Sequence, residues 1–451
     1  MIKKRILGVS AAAMALCLVG ACGKNESTPP IQAQTEENVQ EESSEINETE
    51  DTQVNPTSID LTEQAEQSTT VDSIIEPYEN VQQFGYNLLA QNIHDKNPVL
   101  SPVSAYLALS MAGCGADGTT KDEFFSVLGN DMMDLSDDMM NTFTANGDSL
   151  KLSISNSAWI DDEFTVNDEW MSTIQSLMDA EAFQADLSTA ETMNSINNWI
   201  HDKTNGLIDK MLGEPLDDLT RLALINTVYF KGKWEIPFEA TDTHKEDFYL
   251  DKEQGATEQV DMMNLYRTDL EYISNDFAEG VVLPYQNIGD GGKLAFIALK
   301  PTGDNDIRDL YSSLTNKVMS DMLVNKQTEL VDLKLPKFEV TFDKELNESL
   351  ENMGLLECFD MDKANFDQVG KTQSGDNLYI GTVRQKAKII VDEEGTEAAA
   401  VTEVLMMCGA SMEPEEPREV YFNEPFVYMI MDMDKEIPLF IGILDNPNAI
   451  E

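Results

Sequence analysis

From about Ile74 to the last residue, apolar side chains recur at helix or strand spacing with no second linker-like break. That continuity limits residues 72–451 to one large domain of mixed elements. A chain of 451 residues with 41% hydrophobic content has the apolar material for such a core, and no internal repeat divides it. Helix signals concentrate in the first half of the domain and strand signals in the second, which predicts an α+β architecture. In NPVLSPVSAYLALSMAGCGADGTTKDEF, Ser101 is placed to cap a helix with Pro102 at its first position, and Val103, Tyr106, Leu107 and Met111 share one face. Gly113 and Gly115 fit the helix stop, and Thr120 with Glu123 has the capping-box spacing that opens another helix. The runs Leu222–Phe230, Lys293–Leu299, Val331–Phe342, Leu378–Val391 and Val420–Met431, rich in Val, Ile, Leu, Tyr and Phe, predict strands.

Residues 1–22 read as an export leader. Lys3, Lys4 and Arg5 supply a positive start, and an apolar stretch from Ile6 leads to Leu18-Val19-Gly20-Ala21-Cys22. The stretch is too short for a comfortable membrane span. Small residues just before a cysteine resemble the bacterial lipobox, which implies lipidation of Cys22 and attachment to the outer face of the cell membrane through that lipid. An ordinary cleaved leader or an uncleaved anchor is the alternative. From residue 23 to 71 the chain is acidic and polar, with no aromatic residue, and cannot bury enough apolar area to offset its ordering entropy. It is expected to be a disordered tether with a typical span of roughly 40 Å. With Cys17 in the leader and Cys22 lipidated, Cys114, Cys358 and Cys408 remain, an odd number that argues against a disulfide framework.

A formal net charge of −53, from 83 acidic against 30 basic residues, opposes any nucleic-acid partner and any anionic membrane surface. Catalytic signals are missing as well. Gly113–Gly118 fits G-x-G-x-x-G, but helix caps, not a strand, precede it. His94, His201 and His244 stand in no metal spacing and lie among polar neighbours. With no G-x-S-x-G elbow, C-x-x-C pair or P-loop, the chain is expected to need no metal or cofactor and not to be an enzyme.

Across nearly all of residues 72–451 the sequence resembles the serpin family. The resemblance is carried in order by the Ser101-Pro102-Val103-Ser104 segment, Asn197-Asn198-Trp199 with Thr204–Ile208, INTVYFKGKWEIPF from Ile225 to Phe238, and Val260–Met263. Leu283-Pro284-Tyr285, LPKFEVTF with Leu346, Leu350, Met353 and Gly354, YFNEPFVYMI and PLFIGILDNP complete it. It implies a fold of three β-sheets, about eight or nine helices and an exposed reactive loop, whose central sheet opens to accept the cleaved loop as an extra strand. It also implies a monomeric inhibitor of serine proteases. By resemblance, Ser101, Ser104 and Asn226 match the polar cluster beneath the opening point, with Gln385 where a histidine is common, and Trp234 matches the aromatic at the top. Each is equally readable as a satisfied core residue.

The segment from Glu393 through Gly395, Thr396 and Ala400 resembles the inhibitory hinge, with Glu394, Glu397, Ala398 and Ala399 inside it. Its alternation can be read without the resemblance. As a strand, Thr396, Ala398, Ala400, Thr402, Val404 and Met406 share one uncharged face, and Glu397 and Glu403 fall on the other. By composition alone, Thr396–Met407 fits a short exposed helix equally well. The resemblance implies a scissile bond at Gly409-Ala410 or a neighbour within Met406–Ser411, including Met407 and Cys408, and the loop is a few residues long on its far side. No basic residue occurs between Gly395 and Glu416, which disfavours trypsin-like targets. Elastase-like or subtilisin-like proteases suit the small, aliphatic and sulfur side chains first, and chymotrypsin-like ones second. A serpin-fold binding or structural lipoprotein that traps no protease, and a loop that is only a cleavable substrate, are the rival readings.

Overall fold

The structure, a computed structural model, describes residues 12–22, 78–251, 255–286, 293–372, 375, 377–396 and 416–449. The tether expected over residues 23–71 lies outside them. Among the described residues there are nine α-helices and three sheets, of eight, nine and two strands, so the α+β expectation and its sheet and helix counts hold.

Helix α1 (Glu79–Ala90) packs on α2 (Pro102–Gly113), and α2 lies between the large sheet and the strand Ile437–Leu444 of the second sheet. Every residue of α2 is buried. A helix apolar or small all round belongs in a core, so the single face expected from the sequence is in fact the whole surface. Ser101 caps it, its Oγ accepting the Ser104 N–H at 3.2 Å, with Pro102 at the first position.

The next helix corrects the sequence reading. It begins at Gly118, capped by Asp117, so Thr120 and Glu123 form no capping box. Both are used across the chain instead. Buried Thr120 accepts the Asn365 N–H at 3.0 Å, and the Glu123 carboxylate accepts the N–H groups of Leu356 and Glu357 at 2.8 Å each.

In the large sheet, the strands β1 (Ala12–Cys22), β2 (Leu150–Ile160), β3 (Thr220–Lys233), β4 (Phe338–Glu345) and β5 (Leu378–Val391) run in the order β4-β5-β1-β3-β2, and the short β6 (Gly395–Thr396) adds to one end of β3. β1 is antiparallel to both neighbours, pairing Ala12–Ala21 with β3 and Ala13–Cys22 with β5. Residues 12–22, read from the sequence as the end of an export leader, belong to the same compact unit as residues 78–449 in the full-length chain. A short apolar run with small residues satisfies a strand between two buried strands as well as it satisfies an export signal. Leu18 is buried in the main core, worth about 1.5–3 kcal/mol for a side chain of this size.

The second sheet runs Arg418–Tyr421, Gln327–Pro336, Ala256–Ser274, Ala278–Pro284, Leu294–Pro301, Phe426–Asp432, Ile437–Leu444 and Val99–Leu100, with His244–Asp251 on the Ala256–Ser274 strand. Two expected strands are each two. Val331–Phe342 divides after Pro336, where the chain passes from this sheet into β4, and Val420–Met431 divides between Tyr421 and Phe426. Strands such as Leu150–Ile160 in the first half and helices such as Asn316–Val324 in the second show that the two element types are more interleaved than the sequence suggests.

Gly115 marks where backbone must come close. A Cβ there would lie 2.2 Å from Val369 Cγ2 and 2.9 Å from Trp170 Cδ1. Gly115→Ala is expected to lower stability by about 1–3 kcal/mol by urea denaturation. Gly213→Ala, which would meet nothing within 4 Å, should stay within about 0.5 kcal/mol of the parent.

Candidate functional site

The residues singled out by sequence fall at two levels along β3 and β5, the strands that flank β1. At the upper level the chain leaves β5, turns through Asp392–Glu394 and returns as β6, where Gly395 pairs with Lys233 and Thr396 with Gly232. Gly395 has φ +135°, and a Cβ on it would stand 2.3 Å from the Gly232 carbonyl oxygen. Only glycine accepts that conformation and that approach.

Trp234 holds this turn from beneath. Its indole N–H donates to the Asp392 carbonyl at 2.9 Å and its backbone N–H to the Glu394 carbonyl at 3.1 Å. The ring is fully buried, stacked on Tyr285 with centroids 4.8 Å apart and edge-on to Phe296. Glu393 fastens the outer side. Its carboxylate accepts Lys337 Nζ at 2.6 Å and Thr243 Oγ1 at 2.9 Å, and its carbonyl accepts the Phe238 N–H at 2.9 Å. Lys337, Thr243 and Asp392 were not legible in advance, because their partners are distant in the chain.

At the lower level, Asn226 on β3 and Gln385 on β5 both stand opposite Leu16 of β1. Gln385 Nε2 donates to the Ser101 carbonyl at 3.1 Å, and Ser104 is buried beside it at the start of α2. Asn226 is not joined to them. It donates instead to Asn156 Oδ1 at 2.7 Å, and Asn156 donates to the Met178 carbonyl at 2.7 Å. Asn156, on β2, is a member the sequence reading missed, since one amide in a strand carries no signal of its partner. Asn226 Oδ1, Gln385 Oε1 and Ser104 Oγ are buried with no hydrogen-bond partner among the described residues. An orphan acceptor costs about 1–3 kcal/mol, and here a whole strand separates the two amides.

The far anchor of the loop is the strand Arg418–Tyr421, parallel to Gln327–Pro336. Arg418 holds Glu329 through two hydrogen bonds, of 2.7 and 3.1 Å, and lies over the Tyr272 ring. Glu397, Ala398, Ala399, Ala400, Met407, Cys408, Gly409 and Ala410 lie outside the described residues. Cys22 ends β1, its backbone opposite Leu378. Cys114 and Cys358 are free thiols, and burial pushes the Cys114 thiol up to about 12, so at neutral pH this side chain, packed against the edge of the core, is protonated. The three histidines are exposed, and no group of three potential metal ligands occurs among the described residues.

Burial raises the Glu393 carboxyl, but hydrogen bonds from Lys337 and Thr243 and the Lys337 charge outweigh it and hold it below the usual glutamate range. A carboxyl depressed in the folded state contributes stability above its unfolded pKa and loses it as pH falls through the folded value. Glu393→Gln is therefore expected to cost about 0.2–1 kcal/mol at neutral pH, and its difference from the parent should shrink as unfolding is repeated at progressively acidic pH.

The family model for serpin (serine protease inhibitor) matches residues 79–447. The chain is 30% identical to alpha-1-antiproteinase of Callosciurus caniceps over 80% of this chain and 86% of that one. It is 29% identical to alpha-1-antichymotrypsin of Homo sapiens, over 80% and 85% respectively. The fold is similar to Tengpin, a thermophilic serpin solved in its native state, with TM-score 0.73 and 33% identity over 82% of this chain and 93% of that one. On sequence, fold and the order of its signature segments, the chain belongs to the serpin family.

Proposed function

We propose that this serpin inhibits serine proteases by suicide trapping. The observation that carries the reading is β6, hydrogen-bonded to the end of β3 in a register that, continued, follows the position β1 holds between β3 and β5. A protease serine attacks the bait bond and forms an acyl-enzyme. The freed loop then follows β6 into the sheet before water hydrolyses the ester. About fourteen residues at about 3.3 Å each carry the bound protease roughly 45 Å, and misplacing its oxyanion hole and triad halts deacylation. Insertion into a buried sheet needs one uncharged face, and the Thr396-to-Met406 alternation supplies it.

The targets are elastase-like or subtilisin-like enzymes, with chymotrypsin-like ones second. Arg418, the basic residue after the loop, is engaged by Glu329 inside a strand and is poorly placed as bait for a trypsin-like pocket. We further read the chain as exported and held on the outer face of the membrane by lipid on Cys22, acting as a monomer.

Incubation of the leader-free inhibitor with elastase and with subtilisin should give an SDS-resistant complex of the summed mass, and mass spectrometry of the released peptide should place the cut within Met406–Ser411. Cleaved inhibitor without complex across a broad protease panel would sink the inhibitory reading in favour of a substrate or binding role. Thr396→Arg places a charge on the inward face at the first inserted position. It should lower the yield of complex by about tenfold or more and leave cleavage intact.

A further inference from the structure

The gap that the loop needs is filled in the full-length chain. We propose that, before processing, the leader segment Ala12–Cys22 is a plug seated in the reactive loop's own track between β3 and β5. The inference rests on the loop-insertion reading above and adds a second claimant for the same site.

Register carries the argument. β6 places Thr396 opposite Gly232, and β1 takes over with Ala12 opposite Phe230, two residues farther along β3. Continued in its own register, the loop would set Ala398 opposite Phe230, Ala400 opposite Val228, Thr402 opposite Asn226, Val404 opposite Leu224 and Met406 opposite Leu222. Those partners belong to Ala12, Met14, Leu16, Leu18 and Gly20. Leader and loop thus run in the same direction, antiparallel to both neighbours, with even-numbered residues at the same register positions. Because facing residues of paired strands share a side of the sheet, a loop continued in this register would turn Val404 to the side that Leu18 takes. Buried Leu18 occupies the position of Val404.

The flanking amides give a second, independent sign. Asn226 Oδ1 and Gln385 Oε1 are orphaned on either side of the Leu16 position. β3 and β5 run parallel to each other, so their direct pairing on departure of β1 would bring these two amides to adjacent strands, where each can serve the other. The polar cluster is therefore built for a sheet without β1, and the plugged sheet is the alternative state. Hydrolysis of the Ala21–Cys22 amide, which consumes one water and leaves a carboxylate on Ala21 and an amine on Cys22, would cut the plug from the body and couple export to the opening of the track.

The test uses the full chain made by cell-free synthesis without membranes, so that the leader is retained. The probe is a fluorescent synthetic peptide of the sequence Thr396–Met407, and its annealing is followed by anisotropy. The parent and Leu18→Ile should anneal it about tenfold or more slowly than Leu18→Asp, in which a carboxylate at a buried position expels the strand. Equal annealing by parent and Leu18→Asp would overturn the plug. Should Leu18→Asp fail to fold, hydrogen exchange on the parent decides: amides of residues 12–22 protected together with those of β3 and β5 support the proposal, and free exchange at 12–22 overturns it. Protease added to the same proteins separates the two readings. A Leu18→Asp chain that anneals peptide but is merely cleaved overturns the inhibitory function and leaves the plug standing, whereas parent and variant that trap protease equally overturn the plug alone.

Discussion

The structure depends on what pairs with the inner edges of β3 and β5. These strands are parallel to each other and both antiparallel to β1. They can pair directly or accept one antiparallel strand between them, but they cannot stand open, because each would then bury a row of unpaired N–H and C=O groups. The antiparallel ladder is somewhat the more stable per residue. The wedged sheet gains two such ladders where the closed sheet has one parallel ladder, and this difference is what an inserting strand releases.

The surroundings bias that choice at both levels. At the top, Trp234, Glu393 and the close approach of Gly395 to Gly232 hold the turn so that whatever follows Thr396 is aimed along β3. Lower down, Asn226 and Gln385 oppose the wedge, since each keeps an acceptor unpartnered while a strand lies between them. Their cost is modest beside two full ladders. They weigh most when the sheet has just begun to part, where few ladder bonds have yet formed.

Much of this was legible in the sequence, for physical reasons that differ by residue. Ser101 and Pro102 mark a helix start by local chemistry alone, and the Leu378–Val391 strand appeared with its true limits because its composition ends sharply. The alternation of the hinge could be proposed from sequence because a period of two needs no partner, and Glu397 to Met406, which carry it, lie outside the described residues. Thr120 and Glu123 had the spacing of a cap yet serve Asn365 and Leu356, since local spacing cannot reveal a distant backbone group. Asn156, Lys337 and Thr243 were hidden for the same reason. The run at residues 12–22 is ambiguous for a different reason: eleven apolar and small residues have one pattern and two meanings, leader or strand, and only the edges they meet decide between them.

That ambiguity bears on how selective the track can be. A loop continued in the register of β6 would bring Glu403 opposite Ile225, where residues 12–22 place Cys17, and Ile225 is itself buried in a second hydrophobic cluster with Trp159, Ile196 and Trp199. β3 is covered on both faces, Leu224, Val228 and Phe230 by the main core and Ala223, Ile225 and Tyr229 by the second cluster, so the alternation alone does not separate the two claimants. Selection between claimants must come from attachment. On the proposed reading the loop, joined to β6, needs cleavage to enter the sheet, whereas residues 12–22 are joined to the rest of the domain by residues 23–77 of the sequence. For flexible linkers, effective concentration falls roughly as the −3/2 power of length. On the proposed reading, an uncleaved loop with a short attachment and a far end held at Arg418–Tyr421 is set against a segment with a longer attachment. On that reading, loss of residues 12–21 would remove the claimant that needs no cleavage and leave insertion to await the protease.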